Sequence, residues 1–296
     1  MTEPRLKHVQ CLGSRGLRRM AYWEWGDAAN PRVLVCVHGL SRQARDFDTL
    51  ARAMSAEYRV VCADVAGRGQ SDWLPDASGY QIPAYVADMV TLLARLDATT
   101  VHWVGTSMGG LIGLGLASLP QSPIERLVLN DVGPTIQFEA LRRIDSYLGQ
   151  PLRWATLDEA ADYLQSISAS FGPHTREQWL ALSRPMLKAD ADGESAGFKL
   201  HYDPAIAQPF KAITPEMAAA GEAMTWAAFD AIRCPTLVLR GAQSDLLSHE
   251  TALAMTQRGP KAALREFDGV GHAPTLIAAD QVAAVREFLL GAAVPT

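Results

Sequence analysis

The sequence has no cluster of lysines or arginines, and its acidic residues outnumber its basic ones. Its 296 residues include 27 Lys and Arg against 32 Asp and Glu, which gives a formal net charge of −5. A protein that binds nucleic acid or an anionic membrane through charge needs a concentrated basic surface. We therefore expect neither nucleic acid nor a membrane surface among its partners.

Long hydrophobic runs are also absent from the chain. A membrane-spanning helix needs roughly 20 mainly apolar residues in succession, and no stretch approaches that length. The opening residues Met-Thr-Glu-Pro-Arg-Leu-Lys lack the apolar core of a secretory signal. These features predict a cytoplasmic protein without a membrane span.

Cysteine is scarce, and its spacing follows no known pattern. Cys11, Cys36, Cys62 and Cys234 form no Cys-x-x-Cys pair, so we interpret them as small buried side chains rather than disulfide partners. The histidines and carboxylates form no cluster with metal-ligand spacing. The Gly-Arg-Gly at 67–69 lacks the remaining residues of a nucleotide-binding motif. We expect no metal and no cofactor.

What the chain does contain is an alternation of strand-like and helix-like segments. Hydrophobic residues make up 48% of the sequence, which is enough for a well-buried core. Eight segments have the apolar, β-branched character of strands: 6–12, 17–25, 33–37, 58–65, 101–104, 124–130, 234–241 and 263–267. Strands that alternate with helices predict an α/β fold with a mostly parallel, doubly wound, eight-stranded sheet.

This alternation is interrupted after the sixth predicted strand. Between residues 135 and 228 the strand-like runs disappear, and amphipathic stretches broken by glycine and proline take their place. The sequence therefore predicts a core domain of residues 1–134 and 229–296. A helical insertion, residues 135–228, would be added to it.

A candidate nucleophile lies at the end of the fifth predicted strand, in Gly105-Thr-Ser107-Met-Gly109. A tight turn from this strand into the following helix needs small residues on both sides of Ser107, because a Cβ there would collide with neighbouring backbone. Such a turn lifts the hydroxyl above the sheet edge. The turn also places the Ser107 hydroxyl at a helix N-terminus, where developing negative charge is stabilised.

Two further residues complete a candidate catalytic site. Asp245 and His272 follow the seventh and eighth predicted strands, and the carboxyl ends of parallel strands share one edge of a sheet. A histidine can take the proton of a serine hydroxyl, and a carboxylate fixes its tautomer. Asp131 also follows a strand, but the Gly-x-x-x-Asp spacing places Asp245 beside the histidine loop. We predict a triad of Ser107, His272 and Asp245.

Together these motifs resemble the α/β-hydrolase superfamily over nearly the full chain, and most closely its small lid-bearing carboxylesterases. The matching motifs are His38-Gly39, Asp64-x-x-Gly67-x-Gly69-x-Ser71, Gly105-Thr-Ser107-Met-Gly109, Asp245 and Gly271-His272. The resemblance implies an oxyanion hole made by the backbone amides of Leu40 and Met108, and a lid formed by the insertion. We interpret His38 as a structural residue.

The resemblance implies a serine hydrolase that cleaves a small to medium carboxylic ester through an acyl-enzyme. The lack of a His-Gly-Gly-Gly run argues against long-chain or hormone-sensitive-lipase-like chemistry. Serine at position 107, in the tight turn after the fifth strand, argues against haloalkane dehalogenases and epoxide hydrolases, which carry aspartate at that position. A carbon–carbon bond hydrolase, a lactonase and a slow-turnover ligand receptor stay open as alternatives.

We expect a small-molecule ester as the partner, and the sequence gives no indication of the oligomeric state. The insertion should supply the walls of the substrate pocket. Its large aromatic side chains are the candidates for that wall: Phe138, Trp154, Tyr202 and Trp226.

Overall fold

The computed structural model of the chain describes residues 3–190 and 197–291. Its strands are β1 (Arg5–Gly13), β2 (Gly16–Trp25), β3 (Arg32–Val37), β4 (Arg59–Ala63), β5 (Thr100–Thr106), β6 (Ile124–Asn130), β7 (Arg153–Trp154), β8 (Leu187–Asp190), β9 (Gly197–Leu200), β10 (Thr236–Gly241) and β11 (Ala263–Phe267). Its helices are α1 (Asp48–Met54), α2 (Ile82–Leu96), α3 (Met108–Ala117), α4 (Phe138–Tyr147), α5 (Leu157–Ile167), α6 (Arg176–Ser183), α7 (Ala207–Lys211), α8 (Pro215–Ala231), α9 (His249–Met255) and α10 (Ala279–Leu290).

An eight-stranded sheet forms the centre of the molecule, in the order β1-β2-β4-β3-β5-β6-β10-β11. The hairpin of β1 and β2 is antiparallel, and β2 also pairs antiparallel with β4. The other strands of this sheet, β3, β4, β5, β6, β10 and β11, run parallel to one another. The predicted mostly parallel sheet is therefore confirmed.

Both faces of this sheet are covered, so its central strands are apolar without alternation. In β3, the side chains of Val33, Val35 and Val37 join a core with α2 and α3, while Leu34 and Cys36 join a core with α1 and α10. No helix of the described residues has both the length and the apolarity that crossing a membrane requires.

The segment between β6 and β10 is mostly helical, with α4 to α8, and it also contains a small antiparallel sheet in the order β7-β9-β8. The sequence did not predict this sheet, because its strands have only two to four residues and no apolar run. The proposed limit of the insertion at residue 228 lies inside α8, whose Phe229 is buried in the core.

Backbone hydrogen bonds attach the insertion to the loop that follows β4. The amide of Gly69 donates to the carbonyl of His201 at 3.2 Å, and the amide of Asp203 donates to the carbonyl of Gly67 at 2.8 Å. This loop lies at the carboxyl ends of the parallel strands. The insertion therefore covers the edge of the sheet where the predicted site residues are located.

Candidate active site

Ser107 occupies the tight turn between β5 and α3 that the sequence predicts. Its backbone has φ 52° and ψ −117°, and its amide donates to the carbonyl of Asn130 at 2.9 Å. A Cβ on Gly105 would overlap the carbonyl of Gly109, and one on Gly109 would overlap the carbonyl of Val37. Only glycine fits these two positions, and Ser107 is held in a strained conformation that exposes its hydroxyl.

His272 and Ser107 line the same cavity. Nδ1 of His272 lies 2.8 Å from Oδ2 of Asp131, which is fully buried. The same carboxylate accepts hydrogen bonds from the Ser244 hydroxyl at 2.6 Å and from the amide of Gly241 at 2.9 Å. Because Nδ1 is directed at Asp131, Nε2 is the ring nitrogen that can serve Ser107 as a base.

The predicted pairing of Asp245 with His272 is wrong, and Asp131 takes that place. The half-exposed side chain of Asp245 binds Arg143 of α4 instead, at 2.6 and 2.9 Å. Burial raises the pKa of Asp245, but the hydrogen bond and charge of Arg143 outweigh it and hold that pKa below its usual value. The preceding residue, Ser244, is the one that turns towards Asp131.

Leu40 and Met108 are placed where the resemblance expects an oxyanion hole. Met108 is the first residue of α3, where a backbone amide has no partner within the helix. Within the described chain, the amide of Leu40 donates to no backbone carbonyl. The backbone of Gly39 passes so close to Ser107 that a Cβ there would lie 3.6 Å from the serine Cβ. That the amides of Leu40 and Met108 bind an oxyanion stays a prediction.

His38 is structural, as predicted. Its Nδ1 donates to the carbonyl of Gly39 at 2.7 Å, and its Nε2 accepts from the amide of Val65 at 3.0 Å. Burial lowers the pKa of His38 to about 3, so the ring is neutral at physiological pH. It joins the loop that carries Leu40 to the loop that follows β4.

Sequence reasoning missed Arg68, a fully buried side chain beside both candidate oxyanion residues. Its Nε donates to the carbonyl of Leu40 at 2.8 Å, and its Nη2 lies 3.7 Å from the sulfur of Met108. Its Nη1 donates to the carbonyl of Ala66 and the hydroxyl of Tyr85. No carboxylate of the described residues forms an ion pair with it. In the sequence, only the position of Arg68 between Gly67 and Gly69 could have marked it as a residue of the site.

The aromatic wall predicted for the pocket is mostly wrong. Of the four residues, Tyr202 lines the cavity, whereas Phe138, Trp154 and Trp226 do not. Trp154 packs against Tyr163 with tilted rings whose centroids are 5.3 Å apart. The indole of Trp226 is held away from the cavity, because it packs on Phe229 and donates to Thr135 at 3.0 Å. Phe138 is a half-buried residue at the start of α4.

The insertion also holds the loop that carries His272. The Ser170 hydroxyl donates to the carbonyl of His272 at 2.7 Å, and the amide of Gly271 donates to the carbonyl of Ser170 at 2.5 Å. Further along, Nε2 of His174 lies 2.8 Å from the hydroxyl of Thr275. The position of the imidazole therefore depends on the insertion as well as on the core.

The chain belongs to the alpha/beta hydrolase family, whose sequence profile matches residues 34–285. It is 57% identical over 289 residues to a 3-hydroxybutyrate-oligomer hydrolase from Cupriavidus necator, covering 98% of this chain and 99% of that one. The structure of a putative hydrolase from Rickettsia typhi matches with a TM-score of 0.87 at 27% identity, over 99% of this chain and 100% of that one. An alpha/beta hydrolase from Novosphingobium aromaticivorans matches with a TM-score of 0.84 at 36% identity, over 98% and 99%.

Proposed function

We propose that this chain hydrolyses the ester bonds of short 3-hydroxybutyrate oligomers through an acyl-enzyme formed on Ser107. The observation that carries the proposal is the 57% identity with the Cupriavidus necator hydrolase across nearly the whole of both chains. The chain is a carboxylic ester hydrolase. The proposal concerns which ester it cleaves and which residues perform the cleavage.

The first half of the reaction forms the acyl-enzyme. Nε2 of His272 takes the proton of the Ser107 hydroxyl as its oxygen attacks the ester carbonyl. Asp131 accepts the Nδ1 proton and stabilises the imidazolium that results. The amides of Leu40 and Met108 donate to the oxyanion of the tetrahedral intermediate. His272 then gives its proton to the alkoxide of the leaving 3-hydroxybutyrate unit.

The second half of the reaction releases the acyl group. Water enters in place of the alcohol and loses a proton to Nε2 of His272 as it attacks the acyl carbonyl. The same two amides hold the second oxyanion, and the proton returns to the oxygen of Ser107 when the acid departs. Asp131 keeps the same orienting role throughout, because its other hydrogen bonds fix it independently of the substrate.

Replacing Arg68 with methionine should lower kcat by about 10- to 100-fold. A fully buried guanidinium without a carboxylate partner is costly in the resting enzyme, and it gains a favourable interaction when negative charge develops at Leu40 and Met108. The loss should stay below the roughly 10²–10³-fold typical of an oxyanion donor itself, because Arg68 acts through those residues. Arg68→Lys should recover part of the rate.

The affinity of a boronic acid inhibitor separates this role from a structural one. A boronate adduct on Ser107 is tetrahedral and anionic, so its affinity should fall in parallel with kcat/KM in Arg68→Met. The affinity for an uncharged alcohol, the methyl ester of 3-hydroxybutyrate, should change far less. Equal losses for the boronate and the alcohol would mean that Arg68 supports only the shape of the site.

The proposed substrate is tested by incubating the purified chain with the dimer and the trimer of 3-hydroxybutyrate. We expect release of 3-hydroxybutyrate over many turnovers, with kcat/KM at least tenfold above that for an ethyl ester of butyrate. Chromatography of the products gives both the rate and the sizes of the fragments. A six-membered lactone and a 1,5-diketone belong in the same series, because the same residues would serve a lactonase or a carbon–carbon bond hydrolase.

The outcomes of that series separate the functions. Turnover of simple esters without turnover of the dimer or trimer would leave an ester hydrolase with another substrate. Preference for the lactone or the diketone would replace the proposed reaction with that one. A single turnover that leaves the chain acylated on Ser107 would favour a ligand receptor.

A further inference from the structure

The cavity that contains Ser107 and His272 carries charged side chains of one sign on its wall. Arg42 and Arg143 line it, and none of its described lining residues is an aspartate or a glutamate. The carboxylates that pair with these two arginines, Asp46 and Asp245, are not among the lining residues. The described wall of the cavity therefore offers a ligand guanidinium groups and no carboxylate.

Arg143 binds a carboxylate with only two of its three guanidinium nitrogens, and Tyr147, which also lines the cavity, is a further hydrogen-bond partner. Asp245 accepts from its Nε at 2.6 Å and from its Nη2 at 2.9 Å. Nη1 is the nitrogen that Asp245 does not hold, and the side chain as a whole is 36% exposed. A guanidinium whose orientation is already fixed by a carboxylate loses little conformational entropy when it binds a further anion.

Arg42 is held more tightly than Arg143. Asp46 accepts from its Nε and its Nη2 at 2.7 Å each, and Nη2 also donates to the carbonyl of Leu182 at 3.2 Å. Its side chain is only 11% exposed. Arg42 therefore contributes positive potential to the cavity, whereas Arg143 is the residue placed to form a direct contact.

We propose that Arg143 binds a carboxylate of the substrate, so that the enzyme prefers esters whose alcohol part ends in a free carboxylate. The inference rests on the proposed function, because a 3-hydroxybutyrate oligomer ends in such a group. In the dimer, the carboxylate belongs to the alcohol that leaves. Longer oligomers would then be shortened from their carboxylate end, one unit at a time.

This arrangement also explains the position of Asp245. Instead of serving the imidazole, it fixes the Arg143 fork at the wall of the cavity that Ser107 shares. The remaining wall is largely aliphatic and aromatic, with Ile144, Leu164 and Phe171 among its residues. An apolar wall fits the methyl and methylene groups of the substrate, and one charged group fixes which end enters first.

The test compares 3-acetoxybutyrate with its methyl ester. The two share the scissile acetyl ester, and the methyl ester removes the charge of the leaving alcohol. Because the methyl ester also adds a second ester bond, only the release of acetate is counted. We measure the ratio of kcat/KM for the acid to that for the methyl ester, a quantity that does not depend on the fraction of folded enzyme. A hydrogen bond to a charged group predicts that this ratio falls about 10- to 100-fold when Arg143 is lost.

Two variants keep the comparison controlled. The double substitution Arg143→Gln with Asp245→Asn removes the fork without changing the net charge or leaving a carboxylate unpaired. The control is Arg142→Gln on the same helix, because Arg142 is exposed and does not line the cavity. The double variant should lose the preference for the acid, and the control should keep both the preference and the activity.

Each result decides between the inference and its alternatives. A ratio unchanged by the double variant, or reduced equally by Arg142→Gln, overturns the carboxylate site. Hydrolysis of the 3-hydroxybutyrate dimer by an enzyme with no preference for the acid leaves the proposed function and removes the subsite. A clear preference for 3-acetoxybutyrate, without hydrolysis of the dimer, keeps the subsite and removes the proposed oligomer substrate.

Discussion

Asp131→Asn is expected to lower kcat by about 10³–10⁴-fold, as in serine hydrolases where the triad carboxylate becomes an amide. Oδ2 of Asp131 accepts the hydrogen bond from Nδ1 of His272 at 2.8 Å. An asparagine in its place can present its amide nitrogen to the ring, which then carries its proton on Nε2. That tautomer cannot take the proton of Ser107. Steady-state hydrolysis of a short nitrophenyl ester measures the loss.

Asp245→Asn is the matched control, because it makes the same chemical change on the residue that the sequence favoured. It leaves the contact between His272 and Asp131 in place, and it weakens an ion pair at the cavity wall that is partly exposed to solvent. Such pairs contribute little, so the expected loss in kcat is at most about tenfold. If Asp245→Asn proved the more damaging of the two, the assignment of the acid to Asp131 would be overturned.

Local patterns were sufficient to predict the sheet and the tight turn that carries Ser107. Central strands with both faces covered are continuous apolar runs. The run before Ser107 ends at Gly105, and neither Gly105 nor Gly109 on the other side of the serine can be replaced by another residue. Both signals depend on neighbours in the chain. For that reason the mostly parallel eight-stranded sheet and the turn at Ser107 were both predicted correctly.

The acid could not be chosen from local pattern, because the choice depends on contacts between distant segments. Asp131 has a positive φ of 55°, which turns its side chain back across the sheet edge towards His272. Ser244 and Gly241 reach it from β10 and the loop that follows. In the sequence, Asp131 and Asp245 each follow a strand end, and the Gly-x-x-x-Asp spacing that favoured Asp245 does not show which carboxylate reaches the ring.

The pocket was misjudged for a related reason. The aromatic residues of the insertion indicate that it has apolar surfaces to bury. They do not show which of these side chains face the cavity and which pack against the core. Trp226 lies on α8 and packs on Phe229, and it is not among the residues that line the cavity. One of the two cations that line it, Arg143, is one of two adjacent arginines on α4, and only the packing of that helix decides which of them faces inward.

Ser107→Ala is expected to lower kcat by about 10⁵–10⁶-fold, the loss seen when the nucleophile of a serine hydrolase is removed. The same substitution should abolish labelling by a fluorophosphonate. That reagent reacts only with an activated hydroxyl, whose oxygen bonds to phosphorus as fluoride leaves. Mass mapping of the wild type should therefore place the adduct on Ser107, the residue held at φ 52° beside the cavity.

Two further variants show whether activation, and not mere exposure, explains the label. Ser41 lines the same cavity, so Ser41→Ala should retain the adduct on Ser107. Asp131→Asn keeps the serine but disables its base, so labelling should slow by a factor close to the loss in kcat. An adduct that persists in Ser107→Ala, or a labelling rate unaffected by Asp131→Asn, would show that Ser107 is not the nucleophile that His272 and Asp131 activate.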